Sequence, residues 1–326
     1  MRALIVDQLG TPPVCRRMPD PQPAPGRVLA QVRAAAVKNV DRMLAAGTHY
    51  ASSRLDLPAR LGTDAVVELP DGTRAFTGVQ PPEGAFAEQI TVDPAQLLPL
   101  PATVEDAAAA ALPNAGVSAW LALEHSARVR PGATVLVLGA TGVTGSLAVQ
   151  LARRRFRAGR VIAAGRSRER LHRLAGQGAD ATVRIGEDPA QLRTDVAALH
   201  AERPIDVVLD LLWGPPAEQV LQALGGDDLG APAHRTRYVQ IGESAGPQLR
   251  LPAAVLRSTG LELVGQGGGS VPAATLARVP TEILPALFDL LARGDLQIDT
   301  ISRPLAQGAV AWTAPTPSGT RMVLVP

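Results

Sequence analysis

Cysteine occurs once in this chain of 326 residues, as Cys15, and lysine once, as Lys38. A single Cys excludes an intramolecular disulfide framework, a Cys-rich structural zinc site and an iron–sulfur cluster. It also points to a reducing compartment. Aromatic residues make up only 3% of the chain, so Ala, Leu and Val must fill the core. No run approaches the ~18 consecutive apolar residues of a membrane span; the longest plain stretch, Ala107 to Leu112, ends at Pro113. The amino terminus, Met1 to Asp7, reads as a strand and lacks the apolar centre of a secretion signal. A soluble cytoplasmic protein is the expectation, with no membrane partner. Charge of one sign is also missing: 32 basic residues face 30 acidic ones, for a net +2. The sequence pI of about 9.2 looks basic, yet so small a net charge gives little long-range pull on a polyanion, and nucleic acid is not an expected partner.

What is present is apolar residue in quantity, 46% of the chain. That excludes a disordered protein, and the length suggests about two domains. The first ~100 residues alternate short strand-like runs with turn signals. Val28 to Ala34 has an approximate period of two, Ala65 to Leu69 leads into the hairpin signal Pro70-Asp71-Gly72, and Ala85 to Val92 is a further strand. The pattern changes near Val104. Two helices are expected at Glu105 to Leu112 and Ser118 to His125, followed by the continuous apolar strand Ala133 to Leu138. A Gly-rich turn, a helix from Thr144 to Arg155, a strand at Arg160 to Ala164 and a helix at Glu169 to Ala175 come next. Strands at Ile205 to Leu212, Arg237 to Ile241 and Leu261 to Val264, with a helix at Ala217 to Leu224, continue the series. Strands alternating with helices imply a parallel sheet with right-handed crossovers. After Pro280, a helix from Ile283 to Ala292 leads to short β runs ending at Val325.

The turn Gly139-Ala-Thr-Gly142-Val-Thr-Gly145 sits between the strand at 133–138 and the next helix. Gly139 suits the tight turn, Gly142 lets backbone N–H groups approach a pyrophosphate, and Gly145 lets helix and sheet pack closely. The helix start adds free N–H donors and a partial positive charge. At the end of the second strand, Gly165 and Arg166 stand where NAD-specific proteins usually carry an acid for the ribose 2′-hydroxyl. Arg166, Ser167 and Arg170 suit a 2′-phosphate instead, because guanidinium forks match phosphate oxygens. The expected cofactor is therefore NADPH. A tight βα turn and a solvated Arg-rich helix start are the plain alternatives for the two motifs.

These motifs resemble the medium-chain dehydrogenase/reductase superfamily, in its zinc-free quinone oxidoreductase branch. The resemblance also rests on Gly26 to Asp41, Leu61-Gly-Thr-Asp64, Gly84-Ala-Phe-Ala-Glu88, the segment Ala110 to Trp120, and most specifically Val137 to Ala152. It implies an α/β chain with a GroES-like, β-rich catalytic domain at 1–115 and 282–326, around a Rossmann domain with a doubly wound parallel sheet at 116–281. It further implies an active site in the cleft between the domains, a homodimer, and hydride transfer from NADPH to a quinone, enone or similar activated carbonyl compound. Carried over residue by residue, it puts Gly142 and Val143 on the pyrophosphate turn, and Ser167 and Arg170 at the 2′-phosphate. Ser118 takes the place of a Thr near the cofactor, and Gly242 follows the strand that ends near the nicotinamide. Zinc-dependent relatives carry a Cys ligand where Lys38 stands and Gly-His-Glu where Gly62-Thr63-Asp64 stands. Both ligand sets are lost, so no metal is expected. A Tyr packed under the adenosine in some relatives is replaced by Ile185 or a neighbour.

Lys38 reads either as a cation that polarises a substrate carbonyl or holds a cofactor phosphate, or as a strand lysine whose amine reaches water. Tyr50 reads either as a donor to a carbonyl oxygen or as a surface loop aromatic, and His49 is equally open. Asp41 suits a cap for a helix starting at Arg42. His125, His172, His200 and His234 lack metal-ligand spacing and are expected on solvated surfaces. Trp213 suits either a ligand-facing or a core position. Two other functions fit the same residues: an NADPH-binding redox sensor or accessory protein with little turnover, and an enoyl-thioester reductase of the same superfamily.

Overall fold

The computed structural model describes residues 1–78, 84–225 and 234–326. The chain divides into two compact units, Met1–Asn114 with Pro280–Pro326, and Ala115–Val279.

In the first unit, β-branched and Ala-rich runs form mainly antiparallel sheets, with one parallel pair, Asp299–Pro304 beside Thr320–Val325. The strand Val28–Ala36 is central: it pairs with Val66–Glu68, with Gln89–Val92 and with the carboxy-terminal strand Thr320–Val325. That last pairing stitches the end of the chain into a sheet begun near its start. The hairpin expected at Pro70-Asp71-Gly72 joins Val66–Glu68 to Arg74–Phe76. The strand read as Ala85 to Val92 is regular only from Gln89, because its first part makes an isolated bridge between Ala3 and Ala87. Leu4, Ile5, Phe86, Ile90 and Trp312 lie in the buried core here.

The second unit carries six parallel strands: β1 (Thr134–Leu138), β2 (Arg160–Gly165), β3 (Ala181–Arg184), β4 (Val207–Asp210), β5 (Arg235–Gln240) and β6 (Gly260–Gly265). Their order across the sheet is β3-β2-β1-β4-β5-β6, all neighbours parallel. The order reverses between β1 and β4, the place where open α/β sheets bind ligands, outside the carboxyl ends of the strands. The main crossover helices are α1 (Val143–Arg154), α2 (Arg168–Gln177), α3 (Pro189–Glu202) and α4 (Gly214–Leu224). β1 is buried along its whole length, as its unbroken apolar run requires.

Three readings of the sequence need correction. The two helices expected around residues 105–125 are one, Asp106–Leu121, running through Pro113 and ending in a wider π turn, Ala122–Ser126. β4 stops at Asp210, not at Leu212, because Trp213 takes φ 55° and ψ −161° and the chain turns away. The helix expected from Arg42 begins at Asn39; Asp41, inside its first turn, accepts from the Lys38 N–H at 2.8 Å, so it caps from within. Among the described residues no helix is long and apolar enough to cross a membrane.

Candidate functional site

The glycine turn after β1 is built by close approach. Gly139 has φ +91°, and its N–H and that of Ala140 both donate to the Ala164 carbonyl at the end of β2. A Cβ on Gly145 would lie 2.3 Å from the Gly139 carbonyl oxygen, so only glycine lets α1 start this close to the turn. A Cβ on Gly142 would meet nothing nearer than 3.4 Å, so glycine there is not demanded by the protein's own packing. It leaves the backbone uncovered at the start of α1, where the first N–H groups of the helix lack intrahelical acceptors. Val143 is the first residue of α1 and is half-buried. This cradle, which a side chain would fill, fits a pyrophosphate.

At the end of β2, Gly165 admits the same turn: a Cβ there would fall 2.4 Å from Thr141 Cγ2. Arg166 follows and is exposed. Ser167 caps α2, its hydroxyl accepting from the Arg170 N–H at 3.3 Å. Arg170 is buried and already engaged with other groups, so the two arginines are not equivalent. A basic residue overlooked in the sequence stands beside them. Arg184 pairs in register with Gly165, and Ile185 donates to the Gly165 carbonyl at 2.8 Å. Arg184 is exposed at the carboxyl end of β3. The signal was the alternation of Ala181 to Arg184 after Gly178, which makes a strand only with β2 beside it.

Beyond the switch point, Asp210 ends β4. It is fully buried, and its carboxylate accepts from the N–H groups of Leu212 and Trp213 at 2.8 and 2.9 Å and from the Tyr238 hydroxyl at 2.8 Å. Burial pushes the Asp210 carboxyl above its ordinary value against these hydrogen bonds, and burial with the neighbouring Asp210 charge pushes the Tyr238 hydroxyl well up. Trp213 sits in a backbone region that side chains rarely enter, at a cost of about 1–3 kcal/mol. Gly242 follows β5; its N–H donates to the Asp210 carbonyl at 3.2 Å, and a Cβ on it would lie 2.7 Å from the Leu211 oxygen. Trp213, Gln240, Glu243, Pro247 and Leu263 line a pocket of about 380 Å³. Trp213 also packs against the sheet core, so the core role read for it from the sequence is met. Ser118 is half-buried within the helix Asp106–Leu121.

In the first unit, Lys38 is 1% exposed. Its Nζ donates to Asp64 Oδ1 at 2.7 Å and lies 3.7 Å from Asp41 Oδ2. Asp41 also accepts from the Thr63 N–H at 3.1 Å. Burial alone would lower the Lys38 pKa, but the charges of Asp41 and Asp64, with the Asp64 hydrogen bond, outweigh it and hold the ammonium above its ordinary value. The reading of Lys38 as an amine in water therefore fails: its stem and its charge are both enclosed. Tyr50 is the opposite case, 83% exposed with its ring on His49 at a centroid separation of 4.1 Å. His200 also departs from a solvated surface. It is half-buried, meets His234 edge to face at 6.0 Å, and burial pushes its pKa down. Among the described residues, no three of His, Cys, Asp and Glu gather as a metal site.

No model of a protein family matches the chain. It is similar over its full length to a probable NADPH-dependent quinone reductase of Emericella nidulans, 28% identical and covering 100% of both chains. It is 31% identical to a phthioceranic/hydroxyphthioceranic acid synthase of Mycobacterium tuberculosis over 68% of its own length, which is 10% of that protein. Among solved structures, the quinone oxidoreductase of Thermus thermophilus, described with its NADPH complex, superposes with a TM-score of 0.78 at 29% identity, covering 100% of both chains.

Proposed function

We propose that the chain belongs to the quinone oxidoreductase branch of the medium-chain dehydrogenase/reductase superfamily, in line with its full-length similarity to such proteins, and that it passes hydride from NADPH to a quinone, enone or similar activated carbonyl compound without zinc. The observation that carries this reading is the glycine cradle at the switch point of the parallel sheet, beside a second strand that ends in Gly165 and Arg166 rather than in an acid. Gly139, Gly142, Val143 and Gly145 would hold the pyrophosphate. Arg166, Ser167, Arg170 and Arg184 would face the 2′-phosphate, and Ser118 and Gly242 would border the rest of the cofactor. When bound, NADPH supplies the hydride from its nicotinamide ring. The protein then has to orient the cofactor, exclude water and deliver a proton. In this reading the exposed Tyr50 phenol serves the carbonyl oxygen. Lys38 holds Asp41, Asp64 and, through Asp41, the Thr63 backbone; its burial in that ion pair, where zinc-dependent relatives carry a ligand, supports a zinc-free centre. The reading includes a homodimer in the cytoplasm. β6 pairs with β5 alone among the described strands, leaving one edge for a second copy.

Steady-state oxidation of NADPH with a panel of quinones and enones tests the whole. Turnover unaffected by chelators, lowered kcat in Tyr50→Phe, and a soluble species of twice 33.9 kDa are expected. Absence of turnover with every acceptor would leave the redox-sensor reading. Similarity to the mycobacterial synthase favours a second activity, reduction of an enoyl thioester; enoyl thioesters turned over in preference to every quinone would replace the first reading with that one.

Cofactor choice rests on the exposed Arg166. A charge-assisted hydrogen bond is worth about 1.5–3 kcal/mol, or roughly tenfold and more in affinity. Arg166→Ala should raise the KM for NADPH by about that factor and leave the KM for NADH unchanged. An unaltered protein that uses NADH as well as NADPH contradicts this assignment.

A further inference from the structure

Asp210 and Tyr238 form a buried pair for which the hydride-transfer scheme has no use. Both are 0% exposed. One carboxylate oxygen of Asp210 accepts from the Tyr238 hydroxyl, and the other from two successive backbone N–H groups, of Leu212 and Trp213. Three donors on one carboxylate at the end of a strand at the switch point are more than β4 needs in order to stop.

The three residues after Asp210 explain the arrangement. Leu211 and Leu212 press on the glycine turn: a Cβ on Gly139 would meet Leu212 Cδ2 at 3.0 Å and Leu211 Cβ at 3.2 Å. Trp213, with φ 55°, faces the pocket that it shares with Gln240, Glu243, Pro247 and Leu263. On the far side, the Asp210 carbonyl accepts from Ile241 at 2.7 Å and from Gly242 at 3.2 Å, and Ala245 donates to the Leu212 carbonyl at 2.8 Å. One residue thus joins the glycine turn, the strained Leu211–Trp213 loop and the turn after β5. A Trp at positive φ does not hold that conformation by itself; the two N–H bonds to Asp210 hold it.

We propose that Asp210 is a positioning residue, oriented by Tyr238, which holds Leu211–Trp213 in its strained form and so sets the wall against which the nicotinamide end of NADPH is ordered. The inference rests on the NADPH reading given above. It assigns Asp210 no contact with the reacting atoms. It separates two properties of the site: affinity, which comes mainly from the phosphates at the ends of β1 and β2, and order at the ring, which comes from the Asp210 loop.

Tyr238→Phe tests it with little change of volume, removing one donor from Asp210 and leaving both backbone bonds. Asp210→Ala removes more, since it leaves no acceptor for either backbone N–H group or for the Tyr238 hydroxyl. Bound NADPH emission, read in the binary complex without any acceptor, reports order at the ring, and titration of the same signal reports affinity. In Tyr238→Phe the emission gain on binding should fall at least about twofold, with Kd for NADPH changed by less than about threefold. Asp210→Ala should abolish the gain. kcat should fall about tenfold in Tyr238→Phe, with KM for NADPH little changed. Emission and kcat at the wild-type level in Tyr238→Phe would overturn the proposal, as would a loss of Kd and emission in equal proportion. A wild-type protein that does not bind NADPH at all would sink this proposal together with the functional reading, whereas normal wild-type binding with an indifferent Tyr238→Phe sinks this one alone.

Discussion

Lys38→Met should lower the stability of the protein by about 3 kcal/mol, the low end of the range seen when one partner of a buried ion pair is removed, because Arg321 still sets a positive charge near both carboxylates. The ammonium is the hydrogen-bonding cation for Asp64 and a nearby charge for Asp41, and all three side chains are enclosed. Methionine keeps the approximate length of the stem, so the loss is one of charge rather than of volume. Urea titration of the variant beside Lys38→Met/Asp64→Asn checks this: the double variant should recover part of the loss, because it removes one of the stranded carboxylates. The pH dependence has a definite sign. A lysine whose folded pKa lies above its unfolded value, about 10.4, contributes fully below that value and loses its contribution as pH rises through the folded pKa. The Lys38 charge should therefore contribute evenly at neutral pH and less above about pH 10; because burial also raises the Asp64 carboxyl, and loss of the ammonium raises it further, the gap between wild type and Lys38→Met should shrink toward acidic pH as well. A variant as stable as wild type at neutral pH would mean that the carboxylates are protonated or hydrated at little cost, and the ion pair would lose its structural importance.

Gly145→Ala and Gly142→Ala should separate two reasons for glycine within one turn. At Gly145 the new Cβ would lie 2.3 Å from the Gly139 oxygen and 2.7 Å from Ala140 Cα, so backbone must move. Overpacking of this kind costs about 1–3 kcal/mol, and a displaced turn should lower NADPH affinity at least about tenfold as well. At Gly142 the nearest contact would be an ordinary 3.4 Å. Gly142→Ala should leave the urea midpoint within error of wild type, yet weaken NADPH binding, because the methyl group occupies the path of the pyrophosphate. Equal affinity in Gly142→Ala and wild type would remove the pyrophosphate from this turn.

The contrast between these glycines bears on what could be read without the fold. The strand–turn–helix at 134–154 was legible because every part of it is local: an apolar run, a glycine at each tight point and a helical pattern after it. The strand Ala181–Arg184 and the helix Pro189–Glu202 were missed, although Asp188 before Pro189 is a helix-start signal and does accept from the Ala190 N–H. The helix buries only Leu192 and Val196 along its length, which leaves a faint apolar stripe. Arg184 was missed with the strand that carries it. The break expected at Pro113 was overridden because a proline removes one donor from a helix but does not prevent neighbouring turns from forming when both sides are buried.

Composition and local pattern by themselves determined the alternation of strand and helix, the parallel sheet, the dinucleotide turn and the missing acid after β2, because each depends on residues within a few positions of one another. Tertiary structure alone decided the pairs. Lys38 meets Asp64 across 26 positions, and Tyr238 meets Asp210 across 28. Burial turned the only lysine from a solvated cation into one enclosed beside Asp64. The packing of α2 buried Arg170 while Arg166 stayed exposed. The strain at Trp213 likewise appears only once Asp210 is seen with both of its backbone donors, since nothing in the identity of a tryptophan announces a positive φ. Such contacts are set by strand order and register, which the sequence encodes only through the cooperative burial of the whole sheet.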